Sequence, residues 1–521
     1  MRYPIGIQTF EKIRQGDYLY VDKTEIIYKL VDDSTYYFLS RPRRFGKSLL
    51  VSTLEAYFQG RKELFEGLAI ADLEKDWTEY PILHLDLSNS TYDSPEVLKN
   101  KLSSILHEWE KIYGESDVET DIGTRFGLLI KRAYEHTGKK VVILVDEYDA
   151  PLVDLIDNEE LIEINRDILS GFYKNIKSND NCIKFAFLTG VTKFGHTSVF
   201  SALNNLQDIS LSKRYQAICG ITDEELHANF DEGVNEMAEE NDIAKEECYA
   251  RLKKMYDGYH FCVDGVGMYN PFSLLTALKT QRFGSYWFQT GTPTALIKAL
   301  KNKNVDISRI PGSRVDESRL TTVNSYQDDL TALLYQSGYL TITGVSPIGS
   351  LIIDFPNEGV RNGFVNQLIP IYTKLSGDAT SFLADDLRQA LFDADVEAFI
   401  DSMRTLIAGL SYDIFQTTEQ AFHFIFYIAG VLIGGKDLRT DSEKRTNRGR
   451  MDMLIEMKNY IYIIEFKLDQ SPDVALQQIK EKGYAEQWKN DERKKILLGV
   501  NFSSEIRNIP EEKGWLEERS E

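Results

Sequence analysis

The sequence predicts a multidomain α/β protein, and three observations carry that expectation. The chain is 521 residues long, which at roughly 100–200 residues per domain is too much for one core and points to three units. Its first half alternates short β-rich runs with longer segments of helical periodicity, as a three-layer α/β domain does. Near its end two more β-rich runs read as a hairpin. Hydrophobic residues at 42%, aromatics at 12% and charged residues at 27% allow sizeable cores and exclude a disordered chain. Sixty basic against 81 acidic side chains give a net charge of −21. That excludes a uniformly basic nucleic-acid coat but leaves room for a local basic patch.

Taken in order, strands are expected at Tyr36–Ser40, Ile82–Leu87, Val141–Asp149 and Lys184–Gly190. Their continuous apolar character suits parallel strands buried on both faces. Helical periodicity falls between them, at Lys47–Phe58, Pro95–Tyr113 and Leu161–Ile176. A helical stretch at Asp223–Tyr256 then leads into the aromatic, turn-rich YDGYHF, YNPFS and YWFQTGTP, which read as a lid or helical subdomain. A helix at Asp328–Gly338 followed by YLTI and LIIDFPNEGV suggests a small winged-helix-like module.

The third unit opens near Ala384, with helices at Asp385–Ala408 and Thr418–Ile433, the hairpin MDMLIE/YIYIIEFKL, and a helix at Val474–Gly483. The expected boundaries are therefore 1–220, 221–375 and 376–521. Cys182, Cys219, Cys248 and Cys262 form no C-x-x-C pair, so neither a zinc knuckle nor a disulfide framework has its spacing. The most apolar run, Ala421–Gly435, is shorter than the roughly 20 residues of a span and reads as a buried helix, with no membrane partner. No secretion signal opens the chain, and a cytoplasmic location is expected.

The segment SRPRRFGKSLL, Ser40 to Leu50, follows a strand and opens a helix, the context a phosphate-binding loop requires. Arg43, Arg44, Phe45, Gly46, Lys47, Ser48 and Leu49 would surround the phosphates, with Lys47 on the β- and γ-phosphates and Ser48 on Mg²⁺. The pattern G-x-x-x-x-G-K-[ST] puts its first glycine where this chain has Arg41, a departure from the usual loop. The partner motif is the strand ending in Asp146 and Glu147. Asp146 would join the Mg²⁺ sphere, and Glu147 would polarise the attacking water. Thr189, at the end of a third strand, has the place of a γ-phosphate sensor. Lys193, His196 and Arg214 are nearby cations that read as surface charge.

In the C-terminal hairpin, a loop at Glu456–Asn459 would pair Ile455 with Tyr460 and Asp452 with Ile463. Alternation then sets Asp452, Glu465 and Lys467 on one face. Two carboxylates and a lysine suit Mg²⁺-dependent phosphodiester cleavage, with Asp452 and Glu465 holding the metal and Lys467 orienting or deprotonating the water. Glu419 in the preceding helix is a further metal-ligand candidate. Gln478 and Tyr484 follow the hairpin. Lys436, Arg439, Lys444, Arg445, Arg448 and Arg450 run into it and suit a phosphate backbone.

RPRRFGKSLL, VDEYDAPL, TGVTKFGHTSVFSALNNL and YDGYHF, with GRMDMLIE, YIIEFKLD and ALQQIKEKGYAE, together resemble the bacterial AAA-ATPase-like proteins that end in a PD-(D/E)XK nuclease domain. The resemblance covers nearly the whole chain, and in that family the arginine at position 41 is part of the loop's own variant. It implies a P-loop ATPase fused to a restriction-endonuclease-like domain, with ATP and Mg²⁺ as ligands. It maps the nuclease pattern onto Asp452, Glu465, Lys467, Glu419 and Gln478. The expected activity is ATP binding and hydrolysis coupled to a nuclease-like domain acting on nucleic acid, DNA favoured over RNA, with a homo-oligomer left open. The competing expectations are a nucleotide-gated switch with an inactive nuclease fold, and a scaffold that binds no nucleic acid.

Overall fold

The computed structural model describes residues 2–115, 121–153, 155, 158–194, 204–290, 312–321, 330–372, 377–410, 425–426, 428–430, 433, 438–446 and 449–519. They fall into two compact units, Met1–Asn302 with Gly312–Arg361, and Asn362–Glu521. The first takes in both the 1–220 segment and most of 221–375.

In the first unit, α1 (Phe10–Gln15) and α2 (Thr24–Asp33) precede β1 (Tyr36–Ser40), α3 (Lys47–Phe58), β2 (Ile82–Asp86), α4 (Pro95–Tyr113), α5 (Ile122–Thr137), β3 (Val141–Asp146), α6 (Glu159–Ser178), β4 (Ile183–Gly190) and β5 (Gln207–Asp208). The sheet order is β2-β3-β4-β1-β5, with every pairing parallel. All six residues of β3 are buried, and each fully buried Val, Ile or Leu contributes about 1.5–3 kcal/mol. The connection from β1 to β2 passes over β4 and β3. The ends of β1, β3 and β4 therefore meet where the sheet's order reverses, the place where open α/β sheets bind ligands.

The chain continues through α7 (Asp223–Asn229), α8 (Asp231–Glu240), α9 (Lys245–Tyr256) and α10 (Pro271–Thr280). The single helical stretch expected at Asp223–Tyr256 is thus three helices. Thr222 starts α7 with a capping box closed by Glu225. The chain turns at Phe230, which leaves the α-helical backbone, and again at Asn241. Their common core is Leu226, Phe230, Val234, Met237, Leu252, Tyr256, Leu274 and Leu278. Further on, β6 (Ser313–Val315), α11 (Leu330–Gln336), β7 (Thr341–Val345) and β8 (Leu351–Asp354) give the expected helix and two strands, and β6 joins them in an antiparallel sheet of order β6-β8-β7.

The second unit contains α12 (Gly377–Phe392), α13 (Val396–Ala408), β9 (Leu438–Thr446), β10 (Gly449–Met457), β11 (Tyr460–Leu468), α14 (Pro472–Glu481), β12 (Lys494–Phe502) and β13 (Trp515–Arg519), with the strands in chain order across one sheet. The expected helix at Asp385–Ala408 is two, broken where Ala394 takes a positive φ of 53°. Strands β11 and β12 are parallel and joined through α14. On one face Leu454, Ile461 and Ile463 pack against Leu476, Ile479, Tyr484 and Trp488. On the other, the Tyr462 hydroxyl donates to the Leu391 carbonyl at 2.7 Å, and Phe426 packs on Phe466 at 3.9 Å. Most of Ala421–Gly435 lies outside the described residues, but Ile425, Phe426, Ile428, Ala429 and Ile433 are buried. Among the described residues no helix is long and apolar enough to cross a membrane.

Helix α14 approaches β12 at Gly499 so closely that a Cβ there would lie 2.2 Å from the Pro472 carbonyl oxygen. Gly499→Ala is therefore expected to cost about 1–3 kcal/mol. Gly344→Ala, whose nearest neighbour would be the Ile352 side chain at 3.9 Å, should stay within about 0.5 kcal/mol. Urea unfolding of both variants checks this, and equal midpoints would contradict the packing.

Candidate functional site

The first site grows from the end of β1. Arg44 and Gly46 take positive φ angles of 69° and 95°, which wrap the loop and direct it into α3. Lys47, the first residue of α3, is 4% exposed. Its Nζ donates to the carbonyls of Arg41 at 3.1 Å and Pro42 at 3.3 Å, and lies 3.4 Å from Glu147 Oε1. Glu147 follows β3 in a left-handed conformation, φ 51°. A non-glycine residue held there is a strained feature that clusters at working sites. Its own N–H donates to Asp146 Oδ1 at 3.0 Å. Burial, then the charge of Glu147, raises the Asp146 pKa, against hydrogen bonding from Ser48 and the charge of Lys47.

Arg43, Arg44, Gly46, Lys47, Ser48, Leu49 and Glu147 line a cleft of about 520 Å³. Next to it lies an apolar annex of about 110 Å³ lined by Ile13, Tyr20, Val21, Phe45, Ile218 and Phe230, among others. Pro4, Gly46, Leu49, Pro271 and Leu275 border both. The polar cleft, which Lys47, Glu147 and Asp149 all line, suits a triphosphate and its cation, and the annex suits a flat apolar base.

Two of the expected residues sit differently. The ring of Phe45 faces the annex and packs on Tyr259 and Phe261 at 4.8 and 5.3 Å. Thr189 is fully buried. Its hydroxyl donates to the Leu39 carbonyl at 2.8 Å, so it ties β4 to β1 within the sheet rather than lining the cleft. Lys193 is paired with Asp208 at 2.6 Å and Arg214 with Asp33 at 3.1 Å, while His196 lies outside the described residues.

Asp149 is the residue that motif reading passed over, although it stands in the same VDEYD run. It lines the cleft, is 1% exposed, and accepts from the N–H groups of Val191 at 3.1 Å and Thr192 at 2.6 Å. Burial, then the charge of Glu147, pushes its pKa up to about 7. A Cβ on Gly190 would fall 2.2 Å from its Oδ1, so only glycine fits between them. The lining residues Pro4–Gln8, Ser88, Ser90 and Phe272 carry no motif, and nothing in the sequence marked them.

The second site stands on the C-terminal sheet. The observed register pairs Ile455 with Tyr462 and Met453 with Ile464, two residues from the expected one, because the turn is Lys458-Asn459 rather than Glu456–Asn459. Continued by one step, this register sets Asp452 directly across from Glu465, so the shared face holds. Asp452 Oδ2 accepts from the Phe466 N–H at 2.8 Å. Lys467 Nζ lies 3.6 Å from Glu465 Oε1, and Gln478 on α14 donates to that same oxygen.

Glu465 is 1% exposed, and its Oε2 is buried with no hydrogen-bond partner. Burial, then Asp452, pushes its pKa up to about 8, against the pull of Lys467. An orphaned carboxylate oxygen facing a second acid fits a divalent cation, whose charge would offset both effects. Glu419, Lys436 and Arg448 lie outside the described residues. The backbone of β9 carries Arg439, Lys444 and Arg445 along the sheet edge. Tyr484 is buried under α14.

Residues 4–200 match the family model described as Predicted AAA-ATPase, and residues 417–512 match that of the PD-(D/E)XK nuclease superfamily. A protein of Azotobacter chroococcum mcd 1, described as an uncharacterized protein in vnfD 5'region, is 35% identical over 526 residues, 98% of each chain. Among solved structures, the Aeropyrum pernix ORC2 protein in its ADPNP–ADP complexes covers 66% of this chain and 91% of its own, at 9% identity and a TM-score of 0.23, an overlap too loose to bear on fold or function.

Burial and the charge of Asp452 raise the Glu465 pKa to about 8, so that toward lower pH an incoming cation competes with a proton for this carboxyl. Mg²⁺ or Mn²⁺ affinity at this site is therefore expected to fall by about tenfold for each pH unit below 8. Calorimetric titration at pH 8.5, 7.5 and 6.5, with Glu465→Gln as reference, measures it; an affinity flat across this range contradicts the assignment.

Proposed function

Because the chain belongs to the AAA-ATPase-like proteins that end in a PD-(D/E)XK nuclease superfamily domain, we propose that it binds and hydrolyses ATP and couples this to Mg²⁺-dependent cleavage of nucleic acid, DNA favoured over RNA. The observation that carries the reading is the orphaned Glu465 oxygen, set across from Asp452 with Lys467 and Gln478 on its other oxygen.

In the first site the P-loop amides and Lys47 bind the β- and γ-phosphates, and the annex takes the base. Ser48 and Asp146 would hold Mg²⁺, which supplies charge neutralisation on the phosphates. Glu147, now on Lys47, exchanges that partner for the attacking water. In the second, Asp452 and Glu465 would hold a Mg²⁺ that neutralises the scissile phosphate. Lys467 orients the water or takes its proton, and Gln478 fixes the Glu465 carboxylate. The cytoplasm is the proposed location and a homo-oligomer an open assembly.

The competing reading is the nucleotide-gated switch with an inactive nuclease fold. Labelled plasmid, linear DNA and RNA, with Mg²⁺ or Mn²⁺ and with or without ATP, separate the two. Metal-dependent cleavage is the expected result. Its absence on all three substrates sinks the nuclease half.

Lys47→Ala is expected to weaken ATP binding by about 100-fold. Glu147→Gln should keep binding while hydrolysis falls about 100-fold or more. Calorimetry and phosphate release measure the two, and unchanged ATP affinity in the Lys47 variant contradicts the P-loop assignment. Asp452→Asn should fold normally, keep ATP hydrolysis and lose about 100-fold or more of cleavage; cleavage unchanged at equal purity removes it from the chemistry.

A further inference from the structure

Arg41 stands where most phosphate-binding loops have glycine, and its side chain does not enter the nucleotide cleft. It is 1% exposed and borders a separate cavity of about 30 Å³, lined also by Asp208, Ser210, Tyr259, His260 and Gln336. Nη1 donates to the carbonyls of Ser40 at 2.9 Å and Ser210 at 2.8 Å, and the guanidinium lies 3.9 Å over the Phe261 ring. Its Nε and Nη2 are buried with no acceptor. The Tyr259 hydroxyl and His260 Nδ1, from the same lining, are likewise buried without a partner.

The acid in the lining is already engaged. Asp208 Oδ2 pairs with Lys193 at 2.6 Å, and its Oδ1 accepts from the Ser210 N–H at 2.9 Å. A buried guanidinium with no carboxylate of its own is costly unless something supplies the counter-charge. A water needs about 10–15 Å³ of such space, so the cavity has room for two waters or one larger monatomic ion.

We infer that this cavity is a binding site for a small monovalent anion of chloride size, held by Arg41 Nε and Nη2 with help from the Tyr259 hydroxyl and His260. The ion is a structural ligand of the phosphate-binding loop. The Arg41 carbonyl accepts from Lys47 Nζ at 3.1 Å, and the Arg41 N–H donates to the Gly190 carbonyl at 3.2 Å. Fixing the guanidinium therefore fixes the backbone that seats Lys47.

Thermal unfolding of the full chain in sodium chloride, bromide and gluconate at equal ionic strength tests this without nucleotide, so it stands or falls apart from the ATPase reading. The halides should raise Tm over gluconate by about 2 °C. The difference should shrink in Tyr259→Phe and vanish in Arg41→Gln. If Arg41→Gln does not fold, Tyr259→Phe carries the comparison. A crystal grown in bromide should show an anomalous peak beside Arg41. Equal Tm in the three salts, a halide effect as large in the variants as in the wild type, or a bromide map with only water in the cavity overturns the proposal.

Discussion

A buried ammonium organises the first unit. Lys47 is almost wholly enclosed, and a charge so placed persists only with partners on every side. Those partners come from two strands that are not neighbours: the carbonyls of Arg41 and Pro42 after β1, and Glu147 after β3. Strand β4 lies between them and is held in place by Thr189 on the Leu39 carbonyl and by Asp149 on the N–H groups of Val191 and Thr192. The cleft is therefore a product of sheet order, because a different order would not bring the lysine and the acid into reach.

The second unit answers the opposite problem, a buried carboxylate. Glu465 sits mid-sheet beneath α14, across from Asp452 on one neighbouring strand and from Gly499 on the other. Burial favours its neutral form, and Asp452 does so further. What keeps the position tenable is one half of the carboxyl group, satisfied by Lys467 and Gln478. The other oxygen, Oε2, is buried without a hydrogen-bond partner. Gly499 makes the first half possible, since only a residue without a side chain lets α14 come close enough for Gln478 to reach across.

Much of this was legible in the residues themselves. Strand β1, helix α3 and helix α4 begin and end where pattern and punctuation put them, because buried parallel strands read as unbroken apolar runs and Pro95 marks a helix start. The face shared by Asp452, Glu465 and Lys467 followed from alternation alone, which survives a register error of two residues where an error of one would have destroyed it. The turn itself was misplaced because Met457 and Tyr460 can close on Lys458-Asn459 as readily as on a longer loop.

What stayed hidden was of two kinds. Strand β9, LRTDSEKRT, is an edge strand without apolar alternation, and edges are where charge replaces that signal. The N-terminal lining of the cleft, Pro4–Gln8, acts through shape and position and not through chemistry that a motif could show.

The net charge of −21 has to be squared with the two polyanion sites of the proposed function. Phosphate binding depends on the local field, and a cation that is buried and aligned is worth far more than one on the surface. In the first unit Lys47 is buried at the loop, while acids such as Asp231, Glu232, Glu236, Glu239 and Glu240 lie on the outer face of α8. In the second, Arg439, Lys444, Arg445 and Arg450 fall on two paired strands that also carry Asp452. On the proposed function, the acidic excess would oppose indiscriminate binding of nucleic acid to the surface, while the few placed cations would set where a phosphate is held. Selectivity of this kind would come from keeping most of the molecule repulsive to phosphate and admitting it only where a cation is placed.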